Sequence, residues 1–61
     1  MTIDKIVIYD IETMLEFFLC GCYVPEDNMY YEFSLNKWGN TLDGMFKFFE
    51  THQEYYFVQC A

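Results

Sequence analysis

The chain contains no arginine and only three lysines, Lys5, Lys37 and Lys47, against ten acidic residues, for a formal net charge of −7. This shortage of positive charge excludes gripping a phosphate backbone unaided, because neutralisation of phosphates dominates nonspecific nucleic-acid affinity. A nucleic-acid role therefore requires metal ions or another chain. Cysteine is scarce and odd in number: Cys20, Cys22 and Cys60 form one Cys-x-Cys step with no second pair. That excludes both a zinc-finger spacing and an even disulfide framework, and a reducing, cytoplasmic setting is expected. Long apolar runs are missing too. The longest, Phe17 to Val24, is roughly eight residues where a membrane-spanning helix needs about twenty. No charged segment followed by an apolar stretch opens the chain, so neither export nor membrane insertion is expected. Internal repeats and low-complexity segments are absent.

What the chain does have is core material. Its 61 residues are 54% hydrophobic, with seven Phe and six Tyr, which argues against disorder and for one domain. A chain this short buries only about 60% of the surface its unfolded form exposes. So many large rings exceed what one small layer hides, and the excess predicts an apolar surface for self-association, a protein partner or further covering structure. The acidic residues mainly keep such a surface soluble.

Periodicity divides the chain into five elements. Lys5 to Ile11 is β-branched and aromatic, which favours a strand over residues 5–11. If it stays extended through Glu12, then Ile6, Ile8, Asp10 and Glu12 share one face, and Val7, Tyr9 and Ile11 the other. A second strand is predicted over 15–24 and a third over 29–35, joined as a hairpin by Pro25-Glu26-Asp27-Asn28, whose residue types favour a turn. Residues 36–40 read as a connection. A helix is predicted over 41–52, capped by Asn40 or Thr41, with Asp43 in its first turn. Leu42, Met45, Phe46 and Phe49 form its apolar stripe, and Gly44 weakens it by roughly 1 kcal/mol. A tyrosine-rich fourth strand spans 54–60. The expected fold is thus α/β, β-β-β-α-β, with a right-handed crossover placing the last strand parallel to the first in a mixed four-stranded sheet covered by one helix.

Asp10-Ile11-Glu12-Thr13 is the chief chemical feature. Two hard oxygen donors on one strand face suit Mg²⁺ or Mn²⁺, and a pair of such ions can activate water and stabilise the leaving oxygen in phosphodiester cleavage. Without a cation the two carboxylates repel. The plain alternative is an acidic, solvated strand end.

The segment Ile6-Val-Ile-Tyr-Asp-Ile-Glu-Thr13, followed by two antiparallel strands, a helix and a returning strand, resembles the opening of the DEDD-type 3′–5′ exonucleases. It is similar in particular to the exonuclease domains at the start of phage and plasmid DNA polymerases. The order of elements covers nearly the whole chain, and about eight residues carry the motif. The resemblance implies a ribonuclease-H-like fold, of which this chain is the N-terminal part. It also implies that Asp10 bridges two metal ions, Mg²⁺ or Mn²⁺, and that Glu12 ligates the ion activating the attacking water. Thr13 would lie near the terminal nucleotide of a DNA substrate. In that family two more aspartates and a water-orienting Tyr or His come from later motifs. Here Gln59 and Cys60 depart from the pattern leading into the second motif. The implied two-metal site is therefore incomplete, metal binding weak, the chain inactive alone, and DNA a partner only if the remaining part of the domain is supplied. A reading from a different class is a small acidic interaction or inhibitor protein that mimics DNA and has no catalytic activity.

The other candidates carry less. His52 suits a helix C-terminus better than catalysis. Cys20 and Cys22 share a strand face and read as small apolar groups. Ser34 has no visible triad partners, and Trp38 reads as a core or loop-packing residue. Tyr30, Tyr31, Tyr55 and Tyr56 are read as sheet-packing residues rather than base-stacking ones.

Overall fold

The computed structural model describes residues 5–60. Five strands and one helix are formed: β1 (Ile6–Met14), β2 (Phe17–Val24), β3 (Met29–Asn36), β4 (Gly39–Asn40), α1 (Leu42–Thr51) and β5 (Tyr56–Gln59). They make a single mixed sheet in the order β4-β3-β2-β1-β5. β1, β2, β3 and β4 pair antiparallel in succession, while β5 returns parallel to β1 with Ile6 opposite Tyr56 and Tyr9 opposite Gln59. The α/β class, the mixed sheet and the single helix agree with expectation. The sheet has five strands rather than four.

The extra strand is the two-residue β4, inside the segment expected to be a connection. Its formation depends on side-chain bonds that leave no period-2 signal. Asn36 Oδ1 accepts the N–H groups of Trp38 at 2.8 Å and Gly39 at 3.1 Å, which folds the chain back onto β3. Thr41 Oγ1 then accepts the Ser34 N–H at 2.7 Å, and Asn40 Oδ1 accepts the Leu42 N–H at 2.8 Å. Of the two expected caps, Asn40 is the one whose side chain caps the helix, and Thr41 makes no side-chain cap bond. Asn40 satisfies a free helix amide, and Thr41 ties the helix start to β3.

β1 also runs further than the expected 5–11, because pairing with β2 continues to Met14 opposite Phe17. Leu15 belongs to the turn rather than to the second strand, and Glu16 takes a left-handed φ of 62° to close it. The last strand is shorter than 54–60, since Glu54 and Tyr55 still belong to the approach to β5.

α1 covers one face of the sheet. Val7, Cys20, Cys22, Val24, Met45 and Phe48 form the buried core, with Tyr9, Phe18, Tyr31, Phe33, Leu42 and Tyr55 packed around it. The expected stripe is corrected here. Phe48 rather than Phe46 or Phe49 is the helix's buried ring, 5% exposed, whereas Phe46 is 56% exposed. The run Met45–Phe49 carries two overlapping apolar stripes, and contact with Tyr31 and Phe33 of β3 selects the one containing Phe48, at ring-centroid separations of 5.0 and 5.7 Å. Burying such a ring contributes about 1.5–3 kcal/mol. His52, the helix's C-cap residue, stacks on Phe48 at 4.0 Å and its Nδ1 lies 2.7 Å from the Phe48 carbonyl oxygen. It serves the helix end, as its position predicts.

Candidate functional site

Because β1 is continuous from Ile6 to Met14, its alternation carries past the motif. Asp10 pairs with Gly21 and Glu12 with Leu19, both on the sheet face that α1 leaves open. Residues i and i+2 of a strand lie about 6.7 Å apart along the chain. Two carboxylates so placed can converge on ions spaced about 3.5–4 Å. Thr13 has the opposite parity and lies on the α1 side near the end of β1, opposite Phe18. The fold therefore brings Asp10 and Glu12 together and leaves Thr13 on the other face.

β5 accompanies β1 only as far as Tyr9, whose carbonyl oxygen accepts the Cys60 N–H at 2.7 Å. From Asp10 onward β1 has β2 on one side and, among the described residues, no strand on the other. Both carboxylates are exposed, and neither lines a cavity with apolar walls. The pair thus stands on an open strand end. The apolar cavity, about 420 Å³, lies behind them and is lined by the alternate residues Tyr9 and Ile11 together with Phe18, Cys20, Met45 and Phe57. One strand thus presents carboxylates on one side and an apolar groove on the other.

A feature of the open face had no signal in spacing. Gly21, opposite Asp10, is buried although it faces away from α1, because the Tyr30 side chain lies across it and occupies the space a Cβ would need. Tyr30 Oη donates to Glu32 Oε2 at 3.3 Å. Desolvation raises the Tyr30 pKa, and the carboxylates of Glu32 and Asp10 add to the shift, so the phenol stays protonated beside them. Glu32 sits across β2 from Asp10 in the register Asp10–Gly21–Glu32. Among the described residues, no three His, Cys, Asp or Glu side chains form a metal-holding cluster. Asp10 and Glu12 remain the pair that could hold part of a divalent-ion site.

Elsewhere, Trp38 is 83% exposed, with the Lys37 ammonium 4.7 Å from its ring, and so belongs to neither core nor packed loop. Tyr31 packs in the core, but Tyr56 is largely exposed. Tyr55 ties the approach to β5 to the β2–β3 turn by donating to Glu26, and this bond pushes its pKa up to about 12. No helix among the described residues is long and apolar enough to cross a membrane.

Neither a scan against protein-family models nor searches of curated proteins and of solved structures found a match to this chain.

Proposed function

We propose that the chain forms part of a metal-dependent 3′–5′ exonuclease-type domain acting on DNA, with Asp10 and Glu12 as its first two Mg²⁺ or Mn²⁺ ligands. The observation that carries this reading is their joint placement at the free end of a central strand. Support also comes from topology: three antiparallel strands, a crossover helix and a parallel return beside β1 are the arrangement that the ribonuclease-H-like resemblance implies. Asp10 would bridge the ions and Glu12 would hold the one bearing the attacking water. Two carboxylates leave most of the coordination of two ions unfilled, so further acidic ligands must come from outside these strands.

On end-labelled single-stranded DNA with Mn²⁺, the chain alone is expected to give no end-dependent turnover. Robust cleavage lost in both Asp10→Ala and Glu12→Ala would mean that associated copies complete the site. Cleavage retained in both variants would remove these residues from the reading.

A second reading, an acidic interaction or DNA-mimicking protein, is favoured by the open face itself. Asp10, Glu12 and Glu32 stand there beside Tyr23 and Tyr30, and none of the three lysines lies on a strand. Such a face suits a basic partner, and binding to it would weaken steeply with added salt.

A further inference from the structure

We propose that Cys20 and Cys22 form a dithiol site for a soft, thiophilic monovalent ion, copper(I), on the α1 face of β2, with Cys20 at the floor of the apolar groove between β1, β2 and α1 and Cys22 buried beside it. Their period-2 spacing puts both thiols on the α1 face of β2, and the two sulfurs lie 3.8 Å apart. Two thiolates about 2.3 Å from one metal lie about 3.8 Å apart at a tetrahedral angle and about 4.0 Å apart at a trigonal one. The observed separation is therefore close to what a shared ion requires, with no movement of the strand.

The surroundings choose among ions. Cys20 and Met45 both line the groove, and Met45 adds the one further soft donor there, a thioether. The rest of the lining is aromatic or aliphatic, with no His, Asp or Glu. Zinc in a closed site takes four nitrogen, sulfur or carboxylate donors, whereas thiolate and thioether donors in small number select copper(I). Cys60 is exposed, whereas Cys20 and Cys22 are buried.

Binding is a proton exchange. Each S–H bond breaks, the sulfur's electron pair forms an S–Cu bond, and two protons leave to solvent for each ion bound.

The experiment is an anaerobic titration of the full chain with copper(I) against a chromophoric copper(I) chelator. One ion per chain is expected, with binding lost in Cys20→Ala and in Cys22→Ala but kept in Cys60→Ala. In case the core variants unfold, alkylation of the wild type gives an independent readout: with one copper(I) bound per chain, the exposed Cys60 should stay fully reactive. Binding that needs Cys60, protection of Cys60 alone, no competition with the chelator, or equally tight binding of Zn²⁺ would overturn the proposal. Since Asp10 and Glu12 lie on the opposite face, Asp10→Ala should leave the titration unchanged.

Discussion

Alternate residues of β1 live in two different environments. Val7 is fully buried and Tyr9 half-buried against the α1 side, whereas Ile8, Asp10 and Glu12 face solvent from the same stretch of backbone. The covered face holds every residue of the buried cluster and all the aromatic packing of α1. The open face holds the carboxylate pair and a tyrosine laid across a glycine. One helix is enough to make one face structural, and the other is then free to carry charge that a core would not tolerate. Stability and candidate chemistry are separated by the thickness of a single strand.

That division is broken most severely by removing its central ring. Phe48→Ala deletes the contact between α1 and Tyr31 and Phe33, at a cost of about 3–5 kcal/mol. Small domains have total stabilities near that figure. Far-UV circular dichroism during a urea titration should find the variant largely unfolded in buffer, whereas Asp10→Asn and Glu12→Gln should shift the midpoint by no more than about 0.5 kcal/mol. Comparable losses on the two faces would contradict the division.

Gly21 sharpens the comparison, since among the described residues it is the one on the open face that is buried. A Cβ at this position would meet the Tyr30 hydroxyl, the far end of a side chain that can move away. Gly21→Ala should therefore cost roughly 1 kcal/mol in the wild type and distinctly less with Tyr30→Ala. A cost independent of residue 30 would mean that the glycine is needed for its backbone.

Dependence on pH separates the faces more gently. Folding raises the thiol of Cys22 from 9.0 to about 12 on the covered face. Tyr55 is raised from 10.0 to about 12, chiefly by its bond to Glu26. In both cases the unfolded chain loses the proton more readily, so the stabilisation is complete below the unfolded value and declines as pH rises through the window to about 12. Urea midpoints should be flat near neutrality and fall progressively above about pH 9. Cys22→Ala should flatten the first part of that fall, and a midpoint that rises with pH there would have the wrong sign.

The parts of the fold legible in the sequence are those written as periods. The β-branched run at Ile6–Ile8, the alternation placing Asp10 with Glu12, the turn at Pro25–Asn28 and the parallel return of the last strand all follow from spacing and residue type. β4 was not legible because two residues carry no period and are held by Asn36, Thr41 and Ser34. Phe46 and Phe48 were exchanged because adjacent apolar residues fit two stripes, and only the facing sheet selects one. At the site, Asp10 and Glu12 were legible as a pair. The cover over Gly21 was not, because Tyr30 reaches it from another strand. Nor was the openness of the strand end, which depends on β5 stopping beside Tyr9.

The central proposal, that Asp10 and Glu12 at the free end of β1 hold part of a divalent-ion site, is tested most directly by adding trace Mn²⁺ to the labelled protein and recording which amide signals broaden. Weak binding, with dissociation constants of about a millimolar, is predicted. The signals of Asp10, Ile11, Glu12 and the facing Gly21 should broaden first, and Asp10→Asn or Glu12→Gln should each abolish the effect. Broadening centred instead on Glu26 and Asp27 in the β2–β3 turn, or unchanged in both variants, would contradict the account.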